Sequence, residues 1–240
     1  MQQATPLYFE LLAAGAQKEV RAVIATGQGN ESYTTDRIVS AKARSAMMDK
    51  GATIGSCIAK ELDLVLRDPG IIPRMAKIVM QYRLNDGTRH SEWIDKGTFF
   101  VDTREIDSFG VISIHAYDAM LMAEQFFPAK AGNRKITWPM TDVAAAKAIQ
   151  QIIGVNWDAR NNDIMTAEYS IPDPGSGEKA YTMREALGFI GAMYGGNWIV
   201  TDDNKLRLIL LGDIPADTSN LLIDEHGRYI TIGGDRIIVG

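Results

Sequence analysis

Two groups of carboxylates are the side chains in this 240-residue chain whose type and spacing suit catalysis. Asp102, Glu105 and Asp107 lie within one six-residue stretch, and Asp202 and Asp203 are adjacent. Paired carboxylates cleave glycosidic bonds, one as an acid and one as a base or nucleophile, so peptidoglycan cleavage is the chemistry to consider. Each group borders a loop or a hairpin tip, where solvation and turn formation favour acidic residues without catalysis. We therefore expect no catalytic residue, and keep a peptidoglycan-degrading enzyme as an alternative.

The histidines and the cysteine do not indicate a metal or nucleophile site. His90, His115 and His226 are isolated in the sequence, and Cys57 is the single cysteine. A structural zinc site needs clustered ligands, and a hydrolase of the common serine type needs a G-x-S-x-G elbow, which is missing. One cysteine excludes an internal disulfide, and its strand-like surroundings predict a buried thiol. We expect no metal, no cofactor and no enzymatic activity.

Four tryptophans offer aromatic surface that a sugar ring could stack against. They are Trp93, Trp138, Trp157 and Trp198. Each neighbours an apolar residue or a strand, so packing in a core or against another subunit is the interpretation we favour. A carbohydrate-binding module is kept as a further alternative.

Composition places the chain among globular proteins that neither grip nucleic acid nor enter a membrane. It is 46% hydrophobic and 23% charged, which suits one large or two small domains with a substantial core. The net charge of −5 argues against a surface built to hold phosphate backbones. No segment approaches the roughly 20 apolar residues of a membrane span. Residues 1–6 lack the basic and apolar regions of a signal peptide.

The stretch at residues 91–120, SEWIDKGTFFVDTREIDSFGVISIHAYDAM, predicts two strands joined by a loop, the second entering a helix. Ile112, Ile114 and Ala116 alternate, so they share one face of a strand. Asp118 stands where a helix N-cap belongs. With the strands predicted before it, the first at residues 7–12, this stretch completes a meander of six or seven strands. Closure into a small barrel would remove the exposed edges of such a meander.

The character of the sequence changes after Pro128, where a polar segment precedes a predicted helix at residues 141–154. We accordingly divide the chain into a β-barrel domain at 1–128 and an α/β insert at 129–211. Residues 212–240 return to β character. They complete the first barrel or start a second one.

A second helix and a hairpin are predicted in residues 181–211, YTMREALGFIGAMYGGNWIVTDDNKLRLILL. Thr182 and Glu185 have the spacing of a capping box, in which each side chain satisfies a backbone N–H of the other. Gly188 and Gly191 lower helix propensity, and we interpret them as places where another backbone approaches closely. The hairpin turns at the Asp-Asp-Asn tip.

Both stretches resemble the hub proteins of phage tail tips, the family with the gp27-like baseplate hub fold. The motifs that carry the resemblance are EWI, GTFFVD and YDAM in the first stretch, then REALGFI, GGN and KLRL in the second. They occur in the family's order and span most of residues 54–211. The first fifty residues match only in general character.

The resemblance implies an α+β fold: a small antiparallel β-barrel with an inserted helix-plus-hairpin α/β domain. It implies a structural protein of a phage or prophage virion tail, assembled in the bacterial host cytoplasm as a homotrimeric ring. Such a ring joins the tail tube or distal tail protein to the tip or spike, and lets tape-measure protein and DNA pass. Hub proteins continue into a second barrel, whereas this sequence ends just after the apolar residues 237–239.

Overall fold

The computed structural model describes residues 4–45, 53–67, 69–107, 110–131, 134–175, 180–211, 231–232 and 235–236. Two hydrophobic cores occupy this part of the chain, one inside a curved sheet and one in an α/β unit. Within the same ranges, every helix is too short or too polar to cross a bilayer.

One helix and eight strands make up the first half of the chain. They are α1 (Pro6–Ala13), β1 (Gln17–Thr26), β2 (Gly29–Tyr33), β3 (Ile38–Ser45), β4 (Cys57–Ile58), β5 (Lys60–Arg67), β6 (Lys77–Asn85), β7 (Ile94–Ile106) and β8 (Val111–Asp118). Seven strands form one sheet in the order β2-β1-β6-β7-β8-β5-β3. Every neighbouring pair is antiparallel, which confirms the predicted antiparallel sheet. The predicted meander is wrong, because β1 pairs with β6 and β5 pairs with β8.

The sheet curls because its two edge strands are consecutive in the chain. β2 and β3 lie at opposite edges, yet only residues 34–37 separate them. An extended chain advances about 3.5 Å per residue, so this link reaches at most roughly 17 Å. Six antiparallel steps separate the two strands, so they run in the same direction. Residues 34–37 therefore carry the chain from one edge of the sheet to the other, and this short link holds the end of β2 close to the start of β3.

The concave face of the curved sheet holds the first core. Leu62, Leu64 and Leu66 of β5 are 0% exposed and lie opposite Ala116, Ile114 and Ile112 of β8. Directly opposed residues share a face, so the alternation predicted for β8 is confirmed, and β5 alternates in the same way. Tyr33 at the end of β2 and Ile38 at the start of β3 belong to the same core.

The second unit follows the 3₁₀ helix Ala119–Glu124, which Asp118 caps as predicted. Its elements are β9 (Lys130–Ala131), β10 (Arg134–Lys135), β11 (Met140–Thr141), α2 (Asp142–Ile152), β12 (Asn156–Trp157), α3 (Asn161–Ile164), β13 (Ser170–Ile171), α4 (Met183–Met193), β14 (Gly196–Val200) and β15 (Lys205–Leu210). The sheet of this unit has the order β12-β15-β14-β4. Thr141 caps α2 at the start of the predicted helix, and the predicted Thr182–Glu185 capping box begins α4.

Strand β4 joins the two units. In the sequence it lies between β3 and β5 of the curved sheet, but it pairs in parallel with β14 of the α/β unit. The loop before β4 lies against α4, where a Cβ added at Gly188 would come within 2.7 Å of the Gly55 carbonyl oxygen. The Gly55 N–H donates to the Gly196 carbonyl at 3.0 Å, which fixes the loop. The close backbone approach predicted at Gly188 is confirmed.

The strand predicted at residues 7–12 is wrong, since these residues lie in α1. Pro6 occupies the first helical turn, where its missing N–H is not needed, and Thr5 accepts a hydrogen bond from the Tyr8 N–H at 3.4 Å. The Tyr8 hydroxyl meets the Tyr82 hydroxyl at 2.9 Å and holds the helix against β6. A short apolar run does not by its periodicity distinguish a strand from a helix.

Most of residues 212–240, predicted as a β return, lie outside the described residues. Two short strands of this region are described, β16 (Thr231–Ile232) and β17 (Asp235–Arg236), which pair with each other. The domain limits at residues 128 and 211 stay predictions.

Candidate functional site

The first carboxylate group lies where β7 ends and turns toward β8. Asp102 falls at an irregularity in the pairing between Val101 and Thr103. Glu105 is exposed and lies opposite Ser113 on β8. The Asp107 carboxylate accepts the Val111 N–H at 2.9 Å across the turn. The structure thus gives Asp107 a turn-forming role.

The second carboxylate group lies at the tip of the β14–β15 hairpin and connects the two units. Asp202 forms ion pairs with Lys60 of β5 and, at 3.7 Å, with Lys96 of β7. Asp203 lies 2.6 Å from the Lys205 amine. Burial opposes ionisation of Asp203, but hydrogen bonds from Lys205 and Thr201 together outweigh it and lower its pKa. Both carboxylates are paired with lysines, and the pairs of Asp202 connect the hairpin tip to the curved sheet.

The histidines described do not form a metal site. His115 Nδ1 lies 2.7 Å from the Asp63 carboxylate, and this hydrogen bond lowers the pKa of Asp63. His90 pairs with Asn85 in an isolated bridge at the turn before β7. The described ranges contain no group of three metal-ligating side chains, and His226 lies outside them.

Cys57 is buried, as predicted, and the groups around it connect elements of the fold. Its thiol donates to the Arg184 carbonyl at 3.3 Å, and the Arg184 guanidinium donates to the Cys57 carbonyl at 2.6 Å. Burial raises the pKa of the thiol to about 12, so the nucleophilic thiolate is disfavoured. The same guanidinium pairs with Glu124 of the 3₁₀ helix. Arg184 therefore connects α4, β4 and the 3₁₀ helix.

The four tryptophans have different neighbours and do not line one sugar-binding platform. Two guanidinium groups lie against Trp93, those of Arg21 and Arg83, at 4.2 and 4.6 Å from the ring centroid. Trp138 packs edge-on against Phe127 with ring centroids 4.9 Å apart. Trp198 is fully buried in the second core, and Trp157 lies beside it at 6.2 Å. Packing, the interpretation favoured from the sequence, describes the last three.

The feature that the sequence did not reveal is the open edge at β3, where, among the described residues, the strand pairs with β5 alone. Its residues from Val39 to Ser45 are all exposed, although β3 pairs with β5 along its length. Ala41 and Ala43 lie opposite Leu64 and Leu62, so they extend the concave face of the sheet into solvent. The small side chains of β3 were visible in the sequence, but their position at a sheet edge was not.

The comparisons with known proteins found structural likenesses only. No family model matches the chain, and no curated protein matches its sequence. A 43 kDa tail protein of prophage MuSo2 from Shewanella oneidensis is similar at 12% identity and TM-score 0.46, over 80% of this chain and 53% of that one. Prophage tail protein gp18 from Listeria monocytogenes EGD-e is similar at 11% identity and TM-score 0.48, over 88% and 56%.

A chain of the Francisella PdpA–VgrG complex is also similar, at 13% identity and TM-score 0.39, over 65% of this chain and 25% of that one. The present chain therefore spans about half the length of the two prophage proteins. The two stretches at residues 91–120 and 181–211 also resemble tail proteins. The narrower assignment to gp27-like hubs stays a prediction.

Proposed function

We propose that this chain is a structural component of a phage or prophage tail, in the hub that joins the tail tube to the tip. Copies of the chain assemble side by side into a closed ring, a homotrimer according to the sequence resemblance. The ring contacts the tail tube or distal tail protein on one side and the tip or spike protein on the other. Tape-measure protein and DNA pass through it, and the acidic chain does not hold the DNA.

The open edge at β3, a strand whose one partner within the described ranges is β5, is the observation that carries this proposal. A strand that pairs on one side presents unpaired N–H and C=O groups on the other, which is a template for a strand of another chain. Here the strand has eight residues, and its side chains are exposed from Val39 onward. Such an edge is a hazard for a monomer, whereas in a ring it is covered by the next subunit.

The junction between the units supports a role in holding shape. Arg184 connects three elements, and Asp202 pairs with two lysines of the curved sheet. The shared strand pairing of β4 with β14 adds backbone hydrogen bonds across the junction. These contacts fix the α/β unit relative to the curved sheet, as a subunit of a rigid ring requires.

The test is the mass of the purified chain in solution by light scattering, followed by negative-stain images. We expect a closed ring, and an Ala43→Lys variant that stays folded but becomes monomeric, because a charged side chain on the inward face of an edge strand disfavours strand addition. Ala159→Lys is the matched control, since Ala159 is also exposed but lies in a turn of the α/β unit. A wild-type chain that remains monomeric, or an Ala43→Lys variant that still forms rings, contradicts the proposal.

A further inference from the structure

A closed ring of identical copies needs two different surfaces on each copy. The ring proposed above, on which the present inference rests, uses the open edge of β3 as the first surface. If β3 met β3 of another copy, the two contacting surfaces would be the same, and such a contact closes a dimer instead of a ring. A ring built through β3 therefore requires a different part of the chain to lie against that strand.

Strand β2 is the longest candidate for the second surface. In the described ranges, the strands at the ends of the two larger sheets are β2, β3, β4 and β12. β4 and β12 have two residues each, whereas β2 has five. The outer side of β4 is also engaged: the Ser56 carbonyl faces β14, so the Cys57 carbonyl faces outward, and it accepts the Arg184 guanidinium at 2.6 Å.

The outer side of β2 has the properties of an open backbone edge. Its one partner among the described strands is β1, and Gly29, Asn30 and Ser32 are exposed. An edge strand turns the N–H and C=O groups of alternate residues outward, where a further strand can bind them. The one charged side chain of β2, Glu31, accepts the Tyr33 hydroxyl of the same strand at 2.6 Å, so it is held within its own copy.

We propose that the outer edge of β2 in one copy pairs with the outer edge of β3 in the next copy, so that the curved sheets continue into one another around the ring. β2 and β3 run in the same direction within a copy. A rotation about an axis along the strands keeps that direction, so the pairing between copies is parallel. On β3, the Arg44 guanidinium is bound to Asp63 and Glu61 of its own copy at 2.7 and 3.8 Å, so its charge is neutralised there.

The length of β2 explains why such a contact closes into a ring. Five residues form a short ladder, so one contact is weak beside the roughly 1,200 Å² of total area that stable interfaces bury. An open row of copies has one contact fewer than the closed ring of the same copies. Closure adds that contact between copies that are already held together, which makes it favourable. We therefore expect single copies and closed rings in solution, with few open dimers.

Crosslinking between single-cysteine variants tests the pairing in the full chain. Ser32 of β2 and Ser40 of β3 are both exposed, and both lie on the outer face of the curved sheet, opposite Val23 and Val65. We mix Ser32→Cys with Ser40→Cys and add bis-maleimidoethane, a short reagent that joins two thiols. We expect a covalent dimer that forms severalfold faster than from either variant alone. The native Cys57 is buried, and the wild-type chain measures its background.

The direction of the contact supplies the second measurement. A chain with Ala43→Lys has an altered β3 but an unaltered β2. Carrying Ser32→Cys, it should still crosslink to the Ser40→Cys chain. Carrying Ser40→Cys, it should lose its crosslink to the Ser32→Cys chain. Ala159→Cys mixed with Ser40→Cys is the matched control, since Ala159 is exposed in a turn of the α/β unit.

Crosslinking of Ser40→Cys with itself as fast as with Ser32→Cys would mean that β3 meets β3, and it overturns the pairing. A rate no higher than that of the Ala159→Cys control overturns it as well. Rings in negative-stain images without the crosslink between β2 and β3 leave the proposed hub function standing and reject only this pairing. A fast crosslink in a chain that forms open rows but no rings supports the pairing and contradicts the hub function.

Discussion

Gly188 of α4 contacts the loop at Gly55. Replacing Gly188 by alanine should therefore have two opposing effects on the stability of the protein, a gain in helix propensity and a steric clash, and the size of each is known. Replacing Gly188 by alanine in the middle of a helix should stabilise the protein by about 1 kcal/mol through helix propensity. The added Cβ, however, would lie 2.7 Å from the Gly55 carbonyl oxygen, well inside the 3.4 Å at which ordinary contact begins. One of the two backbones would have to move.

The loop has little freedom to yield. The Gly55 N–H donates to the Gly196 carbonyl, and the Ser56 N–H donates to the Asn197 side chain at 2.8 Å. Gly55 also has a φ of +81°, in the left-handed region, and few other conformations of the loop would keep this angle. Overpacking of a fixed site costs roughly 1–3 kcal/mol. At the upper end of that range, which a backbone contact justifies, the net destabilisation of Gly188→Ala is about 2 kcal/mol.

Thermal and urea denaturation of the two proteins measure this difference. A loss of about 2 kcal/mol corresponds to a Tm lower by roughly 4–8 °C for a chain of this length. A variant as stable as the wild type, or more stable by the propensity gain, would refute the reasoning. It would mean that the loop at Gly55 moves freely and does not fix the α/β unit.

Three further predictions concern a buried acid, the core and the absence of catalysis. Burial raises the pKa of Asp118 to about 6 despite hydrogen bonds from the Lys60 and Met120 N–H groups. Its protonated form is therefore favoured by folding, and stability that is complete below pH 4 should fall by up to about 3 kcal/mol as the pH rises through 6. Asp118→Asn should flatten this part of the stability curve. Leu64→Ala should cost about 2.7–5 kcal/mol in urea denaturation, whereas the exposed Val39→Ala should change stability by less than about 0.5 kcal/mol. Zymography on peptidoglycan should show no cleared zone for the wild type; a zone that Asp102→Asn abolishes would establish the hydrolase alternative.

Local signals in the sequence predicted the longer helices of the second unit and the alternating strands of the curved sheet, but not the short elements β12, α3 and β13. The capping box at Thr182 and Glu185 was readable because both side chains act within one helical turn. Alternation in β5 and β8 was readable because the period of a strand is two residues, and the buried face follows from it. The helix at Pro6–Ala13 was missed because its eight residues carry an apolar run without a clear period.

Contacts between distant residues could not be read in the same way. The link of β4 to β14 joins residues about 140 positions apart, and nothing in the two-residue strand specifies its partner. The Asp202 carboxylate was weighed as catalytic, whereas the structure pairs it with Lys60 and Lys96. A carboxylate has the same local sequence signature in a turn, in an ion pair and in an active site, because its role depends on neighbours that folding supplies.

The sequence by itself determined the helix caps and the buried faces of the alternating strands, since these depend on side chains within one turn or one pleat of each other. Only the tertiary structure decided that β2 and β3 stand at the two edges of one curled sheet, and that β4 pairs with a strand about 140 residues away. Which strands lie at the edges of a sheet depends on which strands pair with each other. Pairing depends on the packing of the whole chain rather than on any single stretch of it.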